Sequence, residues 1–189
     1  MAGRLKKTVV MVGMPGSGKS AVGGALARRL GVEFRDSDDE IQRAADRTIA
    51  EIFARDGEDF FREKEAQVIA RLLAGPPAVL STGAGAFLRP ANRVAIAEKG
   101  LSLWLDADLD LLWSRVRHKD TRPLLRTPDP RATLAELYRV RVPHYAEADI
   151  AVQSDPGLSI EEMTDRVIAA LAARPDVLAP EQGAARGAT

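Results

Sequence analysis

Residues 13–20 read Gly13-Met-Pro-Gly-Ser-Gly-Lys-Ser20, which is the phosphate-binding pattern G-x-x-x-x-G-K-S. The glycines permit a tight turn whose backbone N–H groups, with the positive end of the next helix, would hold a triphosphate. Lys19 would place its charge on the β- and γ-phosphates, and the Ser20 hydroxyl would face Mg²⁺. An apolar run, Thr8–Val12, precedes the loop, and a helical pattern, Ser20–Leu30, follows it. Strand, loop and helix stand in the order that this pattern requires.

The composition of the 189-residue chain indicates one globular domain of ordinary size. Hydrophobic residues make up 46% and the formal net charge is zero, so no overall field would hold nucleic acid or an anionic membrane. The chain has no cysteine, which excludes disulfides, zinc–thiolate sites and a cysteine nucleophile, and its two histidines disfavour a histidine metal site. Its first apolar run is too short for a signal peptide and no run approaches a membrane span, so we expect a cytoplasmic protein.

Strand and helix patterns alternate along the chain, which predicts an α/β fold with a mostly parallel sheet. The predicted strands are Thr8–Val12, Val32–Arg35, Ala78–Ser81, Leu101–Leu105 and Ile150–Val152. The predicted helices are Ser20–Leu30, Thr48–Ala54, Asp59–Ala74, Pro90–Gly100, Leu109–Val116, Asp129–Arg141 and Ile160–Ala172. We predict a single domain over residues 1–174 and a disordered tail over residues 175–189, which are rich in Ala, Gly, Pro and Arg.

An acidic cluster, Asp36-Ser37-Asp38-Asp39, follows the second predicted strand. Ligands of open parallel sheets bind beyond the carboxyl ends of the strands, so these carboxylates could have two different catalytic roles. One could bind a water molecule that is coordinated to Mg²⁺, and the other could accept the proton of an attacking hydroxyl. The alternative is a helix N-cap with acidic residues in the first turn. Taken alone the cluster favours the cap, and the neighbouring phosphate loop strengthens the functional interpretation.

Two further features suit an anionic ligand, although neither is specific by itself. The stretch Ser81-Thr-Gly-Ala-Gly-Ala86 could direct backbone N–H groups at a ligand, or could be a simple turn between a strand and a helix. Four separated arginines have the planar fork that binds carboxylate and phosphate. They are Arg62, Arg115, Arg122 and Arg141. A single arginine is more often a solvated surface charge, and spacing alone does not distinguish these four from the others.

Residues 7–171 resemble the shikimate kinase family, whose members are small P-loop kinases related to the nucleoside-monophosphate kinases. The matching stretches are Gly13–Ser20, Phe34–Asp38, Ile52-Phe53 with Gly57-Glu58 and Phe61-Arg62, Ser81–Ala86, Thr121–Leu125 and Arg141–Tyr145. The first stretch is shared by all P-loop NTPases, and the other five together are specific to this family. The resemblance implies a three-layer α/β/α fold around a five-stranded parallel sheet, a substrate-binding segment at about 37–66 and a mobile lid at about 117–128.

The resemblance also implies the substrates, ATP and shikimate, and the role of each matching residue. Lys19, Asp38 and Arg122 would be catalytic, with Asp38 as the base for the 3-hydroxyl and Arg122 reaching the transferring phosphate from the lid. Mg²⁺ would be held by Ser20 and, through water, by Asp36. The nucleotide would contact Gly16, Ser17, Gly18, Lys19, Ser20, Ala21, Arg115, Arg122, Asp155 and Pro156. Shikimate would contact Asp38, Phe53, Phe61, Arg62, Gly83, Ala84, Gly85, Pro123 and Arg141.

One position departs from the family pattern, which usually has three consecutive glycines where this chain has Gly83-Ala84-Gly85. Alanine keeps the N–H group but adds a Cβ and disfavours a positive φ, so the site would survive only if Ala84 has a negative φ and its Cβ points away from the substrate. Two other functions stay open on the residues alone. One is another small-molecule kinase, such as a gluconate or nucleotide kinase, and the other is a nucleotide-dependent switch or binding module. The resemblance favours a monomer without nucleic-acid or membrane partners.

Overall fold

The computed structural model describes residues 3–119 and 126–180. Its strands are β1 (Arg4–Leu5), β2 (Thr8–Val12), β3 (Phe34–Asp36), β4 (Val79–Ser81), β5 (Gly100–Asp106), β6 (Ile150–Gln153) and β7 (Leu178–Ala179). Its helices are α1 (Lys19–Leu30), α2 (Ser37–Ala45), α3 (Ile49–Asp56), α4 (Glu58–Leu73), α5 (Pro90–Lys99), α6 (Leu109–Val116), α7 (Pro130–Tyr145) and α8 (Ile160–Ala172). Of these described helices, none has both the length and the apolar character needed to cross a bilayer.

Five parallel strands form the central sheet in the order β3-β4-β2-β5-β6. Alternate residues of β2 point to opposite faces of the sheet and join two separate cores. Val10 and Val12 pack in one core with residues of α2 to α7, whereas Val9 and Met11 pack in the other with residues of α1 and α8. The three-layer α/β/α fold with five parallel strands is therefore confirmed.

The strand order fixes where a ligand can bind. The chain leaves β2 for β3, at one edge of the sheet, and later returns to β5 on the opposite side of β2. Connections that depart in opposite directions open a crevice beyond the carboxyl ends of the strands. The phosphate loop follows β2, Asp36 ends β3 and Gly83 follows β4, so all three lie at this edge.

Helix α2 is the largest difference between the predicted and observed elements. The acidic cluster begins this helix, because the Asp36 carboxylate accepts the backbone N–H groups of Asp38 (2.9 Å) and Asp39 (3.3 Å) as an N-cap. The capping alternative is therefore correct for Asp36. It does not exclude a catalytic role, since the cap also directs Asp38 into the crevice described below.

Helix α7 continues beyond its predicted end at Arg141. It runs to Tyr145 although Pro143 lies within it and lacks the N–H that a regular helix would use. Leu134 and Tyr145 are both fully buried in the core, so tertiary packing holds the last turn in place in spite of the proline.

The predicted disorder beyond Pro175 is wrong for residues 175–180. Strand β7 pairs antiparallel with β1, and Val177 and Leu178 are buried in the same core as Leu5. Lys7 also pairs with Asp176 at 3.2 Å. The prediction rested on the average composition of the tail, which conceals two apolar residues at its start. The rest of the predicted tail, residues 181–189, lies outside the described residues.

We expect Val177→Ala to destabilise the protein by about 2 kcal/mol, since it removes two buried methyl groups and leaves a cavity. The matched control is Val94→Ala, because Val94 is 57% exposed whereas Val177 is 0% exposed. The control should change the free energy of unfolding by less than about 0.5 kcal/mol. Chemical denaturation of both variants measures the difference. Equal effects would show that Val177 does not belong to the core in solution.

Candidate active site

The phosphate loop is closed around the side chain of its own lysine. Lys19 Nζ donates hydrogen bonds to the carbonyl oxygens of Gly13 (2.8 Å) and Met14 (3.0 Å), and Ser17 N donates to Met14 O (3.1 Å). Gly16 and Gly18 have φ values of 83° and 95°, in the left-handed region that favours glycine. The loop therefore has the turn chemistry and the central cation that phosphate binding requires.

A cleft of about 720 Å³ extends from this loop across the carboxyl ends of β3 and β4. It brings together the loop, the acidic cluster and the Gly83-Ala84 segment, as the sequence predicts. Its lining includes Gly16, Ser17, Gly18, Lys19, Ser20, Ala21, Asp36, Asp38, Gly83, Ala84 and Arg115. The lining thus reaches from the phosphate loop to Gly83.

Oxygen ligands that line the cleft fit a hard cation. Ser20 Oγ donates to Asp36 Oδ2 at 3.3 Å and lies 3.5 Å from Ser81 Oγ. Burial is the main cause that raises the pKa of Asp36, which indicates that this carboxylate is withdrawn from water. Mg²⁺ prefers oxygen ligands and commonly takes only one or two from the protein, keeping several waters. Ser20 and Asp36 therefore suit Mg²⁺.

Asp38 is the most perturbed carboxylate of the cleft. Burial, followed by the negative charge of Asp36, raises its pKa to about 6. The cations Lys19 and Arg62 act in the opposite direction but do not cancel these effects. Asp38 Oδ1 is buried and has no hydrogen-bond partner among the described residues. An aspartate whose pKa is near neutrality and whose oxygen is unsatisfied is suited to accept a proton from a bound ligand.

A buried ion pair stands next to Asp38. Arg62 Nη1 donates to Glu65 Oε1 at 2.8 Å, and Glu65 is completely buried. Burial raises the pKa of Glu65 and the Arg62 charge lowers it. The second oxygen, Oε2, has no hydrogen-bond partner among the described residues. Glu65 thus holds the Arg62 guanidinium in place, and because a guanidinium has five N–H donors, Arg62 keeps others for a ligand.

The glycines of the Gly83-Ala84-Gly85 segment are needed for space and not for a positive φ. A Cβ on Gly83 would lie 3.0 Å from Asp38 Oδ1 and 3.3 Å from Glu65 Oε2, and one on Gly85 would lie 2.7 Å from Arg62 Nη1. Neither Gly83 nor Gly85 has a positive φ. Ala84 does not have one either, because Asp46 is the one non-glycine residue with a positive φ in the described part of the chain. Ala84 therefore meets the backbone condition for a working site.

Arg141 and two aromatic rings complete the predicted acceptor side. Arg141 is buried, and its Nη1 has no hydrogen-bond partner within residues 3–119 and 126–180. The rings of Phe53 and Phe61 lie 4.8 Å apart, and Arg62 lies over the Phe61 ring. Arg62 thus lies beside an apolar aromatic surface.

At the nucleotide end, Arg115 is the predicted residue with the clearest contacts. Its Nη1 donates to the carbonyl oxygens of Gly16 (3.2 Å) and Ser17 (3.3 Å). The adjoining wall includes Ser154 and residues 158–160, whereas the predicted Asp155 pairs with Arg166 at 2.7 Å. The predicted lid residues Arg122 and Pro123 lie outside the described residues.

Sequence reasoning missed several residues of the site. They are Ser81, Thr82, Glu65, Lys119, Ser154, Met163 and Tyr145. Two of them carry a signal that could have been used. Glu65 stands one helical turn after Arg62, the i, i+3 spacing of an ion pair, and Tyr145 ends the Arg141–Tyr145 stretch. The wall formed by Ser154 and Met163 has no local signal, because only the sheet topology brings it to the loop.

A phosphate loop at the switch point of a five-stranded parallel sheet, with Asp38 and the Gly83-Ala84 segment in the same cleft, is typical of P-loop kinases. The family model for shikimate kinase matches residues 15–172. A shikimate kinase from Ruegeria pomeroyi is 68% identical over 94% of this chain and 91% of its own length. One from Cereibacter sphaeroides is 67% identical over 95% of this chain and 89% of its own length. The chain belongs to the shikimate kinase family.

A solved structure agrees with this assignment. Shikimate kinase from Acinetobacter baumannii, in complex with shikimate, has a TM-score of 0.82 and 33% identity to this chain. The match covers 89% of this chain and 94% of that protein. The family model, the sequence relatives and the solved structure thus agree on the fold and the family.

We expect Gly85→Ala to lower kinase activity, because its Cβ would displace Arg62 from Glu65. A misplaced substrate-binding group can reduce kcat/KM by roughly 10-fold to 100-fold. The matched control is Gly24→Ala in α1, whose Cβ would meet only the flexible end of Arg28, at 3.7 Å. Steady-state kinetics of both variants and of Ala84→Gly measure the effect. The control and Ala84→Gly should stay within about twofold of the unmodified protein, since neither creates a clash.

Proposed function

We propose that this chain transfers the γ-phosphoryl group of ATP to the 3-hydroxyl of shikimate, giving shikimate 3-phosphate and ADP. The observation that carries the proposal is that the phosphate loop and the perturbed Asp38 line one cleft, with the Arg62–Glu65 ion pair next to Asp38. Membership of the shikimate kinase family supports it, as does the similarity to a structure that contains shikimate.

On the donor side, we assign the nucleotide phosphates to the loop and to Lys19, and the base of the nucleotide to the wall near Arg115. Mg²⁺, held by Ser20 and through water by Asp36, would neutralise charge on the β- and γ-phosphates when bound. The lid would add Arg122 as a further cation at the transferring phosphate. Phosphoryl transfer depends mainly on such positioning and charge neutralisation, so no covalent intermediate with the protein is required.

On the acceptor side, we assign Asp38 to the hydroxyl groups and the two arginines Arg62 and Arg141 to the carboxylate. Shikimate carries one carboxylate and three ring hydroxyls, which matches a site with two guanidinium groups and one perturbed aspartate. Phe53 and Phe61 would contact the ring, with Pro123 on the lid. The backbone N–H groups of Gly83–Gly85 would line the ligand.

The catalytic step follows from the chemistry of Asp38. Its carboxylate would accept the proton of the 3-hydroxyl as the oxygen of that hydroxyl forms its bond to the γ-phosphorus and the bond to the β-phosphate oxygen breaks. A base with a pKa of about 6 is ionised at pH 7 and is still basic enough to take a proton as the oxygen bonds to phosphorus. We also propose that the chain acts as a monomer in the cytoplasm.

A coupled assay of ADP release tests the proposed function. We expect release to depend on shikimate and on Mg²⁺, and to be absent with gluconate, which also has a carboxylate and hydroxyls. Asp38→Asn should abolish transfer but keep ATP binding, whereas the neighbouring Asp39→Asn, on the exposed side of α2, should stay active. Phosphorylation of gluconate but not shikimate would reject the proposed acceptor, and near-normal turnover of Asp38→Asn would reject the proposed base.

We expect kcat/KM for shikimate to fall as the pH drops through about 6, because protonated Asp38 cannot accept a proton. The negative charge of Asp39 contributes to the raised pKa of Asp38, so Asp39→Asn should move this acidic limb to lower pH. Asp110→Asn, which removes a surface partner of Arg131, serves as the control and should leave the limb in place. If Asp39→Asn does not shift the acidic limb of the kcat/KM profile, a group other than Asp38 controls that limb.

A further inference from the structure

Tyr145 is a completely buried tyrosine at the end of α7 that the proposed chemistry does not use. Its ring packs in the core, 6.2 Å from the ring of Trp104. Packing alone does not require a hydroxyl, since phenylalanine would fill the same space. The partners of the hydroxyl therefore indicate why the residue is tyrosine.

The hydroxyl contacts both halves of the acceptor side. It donates a hydrogen bond to the carbonyl oxygen of Ala84. The Arg141 guanidinium lies beside it and lowers its pKa, although burial has the larger effect and raises that pKa to about 12. The hydroxyl thus stays protonated throughout the physiological range and remains a donor. One atom joins the backbone of residues 83–85 to the arginine assigned to the carboxylate.

The bond to Ala84 fixes the orientation of a peptide group. In a trans peptide the carbonyl and the following N–H point in opposite directions, so a carbonyl turned toward Tyr145 directs Gly85 N–H away from it. Ala84 accepts the hydrogen bond of the buried tyrosine and is also a lining residue of the cleft. The side away from Tyr145 is consequently the side where an acceptor would lie.

The contact with Arg141 leaves a donor for the ligand. Arg141 is buried in α7, one helical turn before Tyr145, and its Nη1 has no hydrogen-bond partner in the described part of the chain. Among the described residues no acidic side chain forms an ion pair with Arg141, in contrast to Arg62, which is paired with Glu65. Arg141 is therefore kept in position with its full charge available.

We propose that Tyr145 is a positioning residue that orients the Ala84–Gly85 peptide and the Arg141 guanidinium for a carboxylate-bearing acceptor. The inference rests on the proposed function, in which shikimate is that acceptor. Tyr145 itself does not touch the reacting atoms. Its removal should accordingly weaken acceptor binding and leave the nucleotide site, which is built on other elements, unchanged.

Tyr145→Phe tests this role, because it removes the hydroxyl and keeps the ring. We expect the KM for shikimate, and its Kd measured by calorimetry without nucleotide, to rise roughly tenfold, as the loss of one buried hydrogen bond would give. The KM for ATP should stay within about twofold. Tyr138→Phe is the matched control, since Tyr138 is the other tyrosine of the chain and lies only partly buried, and it should leave both constants unchanged.

The outcomes separate this inference from the proposed function. If the unmodified protein does not phosphorylate shikimate, the proposed function fails and this inference with it. If it does, an unchanged shikimate KM in Tyr145→Phe, or an equal rise in both KM values, overturns the positioning role alone. If Tyr145→Phe loses its cooperative thermal transition, a variant with p-aminophenylalanine at position 145 is tested in its place. The amino group of that side chain keeps a hydrogen-bond donor. A shikimate KM near that of the unmodified protein then supports the role, and a raised one overturns it.

Discussion

The parallel pairing of β2 with β4 on one side and with β5 on the other is the constraint on which the site depends. Parallel strands bring their carboxyl ends to one edge, so the phosphate loop, Asp36 and Gly83 meet there although they are far apart in the sequence. The register is held by two apolar cores, because a slip of one residue would turn Val10 and Val9 to the wrong faces. The geometry of the cleft is thus a consequence of hydrophobic packing below it.

The acceptor side holds buried charge that folding alone would not favour. Three of the five buried side-chain atoms without a hydrogen-bond partner in the described residues belong to Asp38, Glu65 and Arg141. Buried polar atoms are normally satisfied, and each unsatisfied one costs about 1–3 kcal/mol. Asp38 and Glu65 lie beside Gly83, and Arg141 lies beside Tyr145, which donates to Ala84. A ligand with a carboxylate and hydroxyls would supply the missing partners. The folding free energy lost to these unsatisfied atoms would be recovered as binding energy when the ligand is bound. The same environment would keep Asp38 reactive.

The sequence was sufficient for elements with a strong local pattern and insufficient for those that depend on distant partners. The phosphate loop, α1 and the buried strands follow from glycine spacing and short apolar runs. Strand β7 could not be predicted, because its two residues are stable only when paired with β1. For the same reason, spacing did not select Arg62 and Arg141 from the other arginines. The family resemblance selected them, and the structure then showed that Arg62 pairs with Glu65 and that Arg141 lies beside Tyr145.

The substitution of alanine for glycine at position 84 illustrates how differently three adjacent positions are constrained. Gly83 and Gly85 face side chains of the buried charge cluster, so a methyl group at either would meet Asp38 or Arg62. Ala84 offers its carbonyl to Tyr145 and needs no positive φ, so neither backbone strain nor this hydrogen bond excludes a Cβ. A run of glycines can therefore contain positions that require the absence of a side chain and a position that does not. The hydrogen bond from Tyr145 acts on the backbone, which is the part of residue 84 that glycine and alanine share.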